Sequence, residues 1–134
     1  MILYHGTSSE QAKQSIINNG FKICTDGKYG VGIYMTSHFE LAREYTYNEI
    51  NKDYNDDLII PVRIYNRDIK ILQYKTLAKR LGEKCTINPD YYIVSELPKA
   101  EEYAKNNGIK ALMIQYDYYD EVVVYDPSVI RKIG

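Results

Sequence analysis

Leu3-Tyr4-His5-Gly6-Thr7, at the start of the chain, joins a short apolar run to a polar junction, and the fold turns on what that junction begins and ends. Residues 2–5 read as a strand, because Ile, Leu and Tyr suit a half-buried extended segment. Thr7-Ser8-Ser9-Glu10 then offers hydroxyl N-caps for a helix whose apolar side carries Ala12, Ile16 and Ile17. That helix is predicted to close at Asn19-Gly20, where glycine takes the left-handed cap conformation and Phe21 folds back over the last turn.

Working outward, residues 22–32 hold Gly27, Gly30 and Gly32 without periodicity and read as a loop. A brief strand is expected over 33–36. Ser37 and Glu40 have capping-box spacing for a second helix, with Leu41, Ala42 and Tyr45 on its buried face. Residues 51–57 are turn-like, and 58–64 form the most β-like run, in which Pro61 signals an edge or a bulge. Residues 69–72 continue the sheet. Tyr74, Leu77, Ala78 and Leu81 have helical spacing, closed near Gly82. A fourth helix is predicted over 95–107, stopped by Gly108, and the chain finishes with strands over 110–115 and 121–125. Short strands with helices inserted irregularly favour an α+β fold over a doubly wound sheet, in one domain spanning residues 1–134.

Composition excludes little and biases less. The 17 basic and 18 acidic residues give a net charge of −1, so total charge selects no polyanionic or membrane partner. Within residues 61–84, however, Arg63, Arg67, Lys70, Lys75, Lys79, Arg80 and Lys84 gather, as a basic face or as ordinary solvated surface. Cys24 and Cys85 have no metal-ligand spacing and are read as free thiols. The first apolar run is too short for a signal sequence and no run reaches membrane-spanning length, which predicts a cytoplasmic protein with no membrane partner. Fifteen tyrosines are the oddest feature of the composition.

Three separated segments place polar side chains beside strands: His5 in the first, Tyr34 in Gly30-Val31-Gly32-Ile33-Tyr34, and Glu121 opening Glu121-Val122-Val123-Val124-Tyr125-Asp126. One shared cleft would use all three. No phosphate-binding Gly-Lys-Ser/Thr loop, nucleophile elbow or zinc-type histidine pair competes. Gly27, Gly30 and Gly32 lack the dinucleotide-fingerprint context. Taken singly, His5 suits a strand end, Tyr34 and Tyr45 suit a core, and Glu121 suits a solvent-facing strand position.

In this order, His5-Gly6-Thr7, Gly32-Ile33-Tyr34 and Glu121 resemble the His-Tyr-Glu signature of the diphtheria-toxin-like ADP-ribosyltransferases, the class that includes the poly(ADP-ribose) polymerases. The resemblance spans the chain from end to end. It implies two small sheets flanking a cleft for NAD, which serves as co-substrate with no metal. It implies that His5 bonds the adenosine-ribose hydroxyl and that Gly6, beside Thr7, grips the nicotinamide amide with its backbone. Tyr34 and Tyr45 would sandwich the nicotinamide ring. Glu121 would bond the nicotinamide-ribose hydroxyl and stabilise the cation that develops as the glycosidic bond breaks. A small hydroxyl residue that helps hold the amide in the polymerases is Ala42 here, so Thr36 or Ser37 is expected to substitute or binding to be weaker.

The resulting expectation is an NAD-dependent ADP-ribosyltransferase that moves one ADP-ribose to a protein or nucleic-acid acceptor. Chain elongation needs a second pocket, for which the short connection from Gln115 to Glu121 leaves little room. Tyr118 and Tyr119 in that connection fit either acceptor stacking or a tyrosine-rich turn. The rivals are a non-catalytic module binding NAD or ADP-ribose, an NAD glycohydrolase, and a nucleic-acid binder using residues 63–84, whose binding would depend steeply on salt.

Overall fold

The structure is a computed structural model that describes residues 1–83 and 97–133 and the backbone of Ile87–Asn88 and Ile93–Val94. The fold is α+β. Strand β1 (Ile2–Gly6) pairs antiparallel with β3 (Ile59–Arg63), which also pairs with β9 (Arg131–Lys132). A four-stranded sheet has the order β2 (Ile33–Met35), β8 (Asp120–Val124), β7 (Ala111–Gln115), β4 (Ile69–Gln73), parallel only between β4 and β7. β5 (Ile87–Asn88) and β6 (Ile93–Val94) form a separate antiparallel pair.

Helices α1 (Glu10–Asn19), α2 (Phe39–Glu44), α3 (Tyr74–Arg80) and α4 (Ala100–Asn106) fill the connections. The four-stranded sheet is covered on both faces. Leu112, Ile114 and Val123 pack with Leu77 and Ala78 of α3 and Ala100 of α4, while Ala111, Met113, Val122 and Val124 pack with Leu3 of β1 and Val62 of β3. This explains why Ala111-Leu112-Met113-Ile114 is apolar at every position, since a strand buried on both faces has no solvent side to mark by alternation.

Local signals mostly held. Ser9 caps α1 by accepting the Ala12 N–H at 3.1 Å, and Gly20, Gly82 and Gly108 adopt positive φ just beyond α1, α3 and α4. Pro61 stands opposite Tyr4, whose N–H and C=O turn to Thr36 instead of β3. The ring nitrogen of Pro61 therefore faces the other edge, past the end of β9, where no ladder donor is needed.

Four expectations need correction. Ser37 and Glu40 form no capping box: His38 is the N-cap of α2, without a side-chain hydrogen bond, and the Ser37 hydroxyl bonds Asp120. A distant carboxylate offered a stronger, charge-assisted acceptor contact than the helix end did. Tyr45 is not on a buried face; the residue is 63% exposed just after α2, and Ala42 is the buried residue of that helix. α4 starts at Ala100, after a turn at Pro98 and Lys99, and Pro98 disfavours helical conformation at Leu97; the predicted start at Ser95 lies outside the described residues, as do Lys84 and Cys85. The chain also does not finish with β8, since β9 follows it.

The segment read as a loop, 22–32, has no helix or strand but is built into the core. Tyr29 is fully buried, its N–H bonds the Tyr34 hydroxyl at 2.9 Å, and its carbonyl accepts the Tyr125 hydroxyl at 2.8 Å. Glu101 of α4 accepts the Val31 N–H at 2.7 Å, and its side chain fills the space a Cβ on Gly30 would need.

Candidate functional site

The two main sheets pack face to face and are joined at their edges by a backbone bridge, Tyr4 to Thr36, where each N–H bonds the other's carbonyl at 2.8 and 3.1 Å. Beside it opens a cleft of about 320 Å³, lined by residues of both β1 and β2. His5, Gly6, Tyr34, Tyr45 and Glu121 all line it. Thr7 does not: it is buried, with both its N–H and its hydroxyl donated to the Leu58 carbonyl, so it ties the end of β1 to the start of β3.

Each lining residue is held differently. The His5 Nδ1–H donates to the Tyr34 carbonyl at 2.8 Å, because a carbonyl can only accept. That bond selects the tautomer and leaves Nε2 as an acceptor. Burial pushes the His5 pKa below its ordinary value and the carbonyl bond offsets part of the shift, so the ring is neutral at neutral pH.

That shift has a consequence for stability. Between the ordinary histidine value and the lowered folded value, the unfolded chain binds the proton that the folded chain refuses, so stability falls as pH falls through this window and is regained above it. Urea midpoints are expected to decline on acidification through the histidine range, and to decline less in His5→Gln. Equal declines in both proteins would remove His5 as a source.

The strand register turns the N–H and C=O of Gly6 away from β3, on the side where Tyr4 meets Thr36. One donor and one acceptor thus face the cleft side by side, the complement of a primary amide. Only glycine fits: a Cβ on Gly6 would lie 2.9 Å from Cβ of Tyr45 and nearer still to the Ala42 carbonyl oxygen. Ala42 therefore contributes a backbone wall to the Gly6 end of the cleft. Neither proposed substitute hydroxyl is free to replace its missing side-chain oxygen, because Thr36 donates to the Asp120 carbonyl at 2.8 Å and Ser37 bonds the Asp120 carboxylate.

Tyr34 does more than present a ring. Its hydroxyl donates to the Gly30 carbonyl at 2.6 Å while accepting from Tyr29, so it anchors the loop that walls the cleft, and Gly27 lies against its ring too closely for any Cβ. Burial, followed by neighbouring negative charges including Glu121, holds its pKa well above the usual phenol range.

Glu121 is half-buried and receives two contacts that the sequence did not point to. The Tyr116 hydroxyl donates to Oε2 at 3.2 Å and is itself bonded to the hydroxyl of buried Tyr29. Burial, then the Glu121 charge, raises the Tyr116 pKa, so this hydroxyl stays a donor. On the other oxygen, the Lys28 ammonium stands 3.5 Å from Oε1. Tyr116 stacks between Tyr74 and Tyr119, with centroids 5.7 and 4.6 Å away, and Tyr119 has its pKa raised by burial and then by Glu121 and Tyr45. Tyr119 thus belongs to the Glu121 rim, whereas Tyr118 is exposed.

Asp120 is the other residue the sequence concealed. Only 4% exposed, it accepts from the Thr36 hydroxyl at 3.1 Å and the Ser37 N–H at 2.8 Å, also bonds the Ser37 hydroxyl, and lies 3.4 Å from His38 Nε2. It fastens the start of β8 to the turn between β2 and α2, and so sets where Glu121 stands. Acidic residues before a strand are common, and nothing local distinguished Asp120 from Asp117.

The basic stretch is dispersed. Arg63 lies on β3, Lys70 on β4, and Lys75, Lys79 and Arg80 on α3; Arg67 stacks on Tyr65, and Arg80 bonds the Tyr103 hydroxyl at 2.8 Å. Cys24 is a free thiol on the cleft wall, 3.4 Å from Asp26. Among the described residues no helix is long and apolar enough to cross a membrane. No family model matches the chain, and no curated protein matches it.

Proposed function

We propose that the cleft binds NAD and that the protein is an ADP-ribosyltransferase of the His-Tyr-Glu type, passing a single ADP-ribose to a macromolecular acceptor. The observation that carries this reading is the convergence of His5, Gly6, Tyr34, Tyr45 and Glu121, drawn from segments far apart in sequence, on one cleft. Between them they offer groups suited to the riboses and to the nicotinamide of the dinucleotide. Nε2 of His5 accepts from a ribose hydroxyl, and the N–H and C=O of Gly6 match the nicotinamide carboxamide. Tyr34 and the exposed Tyr45 offer ring faces to the nicotinamide, where stacking costs little rotamer entropy.

In the reaction, the bond between ribose C1′ and the nicotinamide nitrogen breaks. Its electron pair neutralises the pyridinium ring, leaving positive charge on the ribose. Glu121, oriented by Tyr116, stabilises that charge by accepting from the adjacent ribose hydroxyl. The acceptor then bonds C1′ and loses a proton. Because the nicotinamide is already a cationic leaving group, bond cleavage needs no acid at the ring.

The test is incubation with NAD labelled in the adenylate part, in the presence of cell lysate, resolved into modified protein, modified nucleic acid and free ADP-ribose. Label on a macromolecule supports transfer, and digestion between ADP-ribose units should release no doubly linked unit. Free ADP-ribose alone identifies a glycohydrolase, with water as acceptor. Binding without nicotinamide release identifies a non-catalytic module, and nucleic-acid retention that needs no NAD identifies the basic stretch as the functional surface.

Binding is expected to weaken by about 1–3 kcal/mol in Tyr45→Ala through lost stacking. Tyr34→Ala should lose at least as much, because it also releases the wall loop, whereas Tyr34→Phe keeps the ring and isolates the effect of the hydroxyl. Calorimetric titration of folded variants checks this. Unchanged affinity in Tyr45→Ala would remove that ring from the site.

A further inference from the structure

The Lys28–Glu121 pair is at odds with a catalytic carboxylate. Both side chains are largely screened from solvent, and the ammonium sits 3.5 Å from Oε1. A carboxylate whose charge is already matched by a cation stabilises a second, developing cation less well. The conflict disappears if Lys28 leaves as substrate enters.

We propose that Lys28 is a specificity residue that senses phosphate: its ammonium is held on Glu121 in the free protein and transfers to the diphosphate of an incoming dinucleotide, releasing the carboxylate for the ribose. This rests on the NAD reading above and adds to it a reason for preferring a dinucleotide over a bare riboside. Lys28 and Glu121 line the same cleft, so the ammonium needs no new path. Only the side chain must move, because the backbone around it is fixed. The Lys28 carbonyl accepts the Leu97 N–H at 2.9 Å, and the next residue, Tyr29, is buried in the core. The flexible four-carbon stem and freely rotating ammonium of lysine suit a change of partner better than the planar fork of arginine. A diphosphate offers two negative charges and several acceptor oxygens, against one carboxylate oxygen at the long end of hydrogen-bond distance and the face of the Tyr116 ring 5.9 Å away.

Nicotinamide riboside has the same scissile bond as NAD but no phosphate, so it cannot draw Lys28 away. The experiment compares wild type, Lys28→Gln and Lys28→Arg. Nicotinamide release from NAD and from the riboside is measured as kcat and KM, and ADP-ribose and adenosine are titrated at low and high salt. Circular dichroism confirms folding. In Lys28→Gln, ADP-ribose affinity is expected to fall about tenfold with a shallower salt dependence, adenosine affinity to stay unchanged, and kcat on the riboside to rise about tenfold. Lys28→Arg should stay nearer wild type on NAD.

A Lys28→Gln protein with wild-type ADP-ribose affinity and wild-type preference for NAD overturns the proposal. So does an equal loss of kcat on both substrates, which would make Lys28 a fixed support of Glu121. If wild type neither binds ADP-ribose nor releases nicotinamide, the ADP-ribosyl reading fails and this inference with it. Failure confined to Lys28→Gln leaves that reading standing.

Discussion

Replacing Glu121 with glutamine is expected to lower NAD turnover about a hundredfold or more without weakening NAD binding or unfolding the protein. The amide has the size of the carboxylate, and its oxygen can still accept the Tyr116 hydroxyl that now donates to Oε2 at 3.2 Å. What it loses is the full negative charge opposite a ribose that becomes cationic only near the transition state, so kcat falls while ground-state affinity does not. Its amide NH₂ also repels the Lys28 ammonium, which frees that cation for the diphosphate and works against any loss of affinity. Nicotinamide release gives the rate, and titration gives the affinity. Wild-type kcat in the folded variant would end the assignment of Glu121 as the catalytic carboxylate.

Asp120→Ala is expected to be the most destabilising change near the cleft, at about 3 kcal/mol. The methyl group would strand the Ser37 N–H and the Ser37 hydroxyl, which bond this nearly buried carboxylate, and would remove the longer of the two acceptors of the Thr36 hydroxyl, which keeps the Asp120 carbonyl. Asp120→Asn keeps one acceptor oxygen for the Ser37 N–H and should lose less. Urea unfolding of the three proteins measures the difference. Because the Asp120 bonds hold β8 against the start of α2, turnover in Asp120→Asn should also fall through displacement of Glu121, with NAD affinity less affected than kcat. A loss in Asp120→Ala no larger than about 0.5 kcal/mol, the range of ordinary surface substitutions, would show that the β2–α2 turn holds without it.

The sequence alone determined those features whose physics is local. Ser9 as a cap, the glycines that end α1, α3 and α4, the helical spacing of Tyr74, Leu77 and Ala78, and the apolar run through β7 all depend on residues a turn or a pleat apart. The ordered triple of His5, Tyr34 and Glu121 was also legible, as a pattern of residue types beside strands. Their convergence on a cleft was not, because it comes from the packing of the two sheets and the Tyr4–Thr36 bridge that sets β1 beside β2. Tertiary structure likewise decided the roles of Ser37 and Thr7: each carries a hydroxyl suited to a helix cap, and each was drawn to a distant acceptor, Asp120 or the Leu58 carbonyl. The contacts that define Glu121 are of this second kind. Lys28 is 93 residues away in sequence, and Tyr29 lies 87 residues from the Tyr116 it bonds. A buried polar group must find a partner wherever the packed chain brings one, and nothing in the spacing of residues along the sequence records which partner packing will deliver.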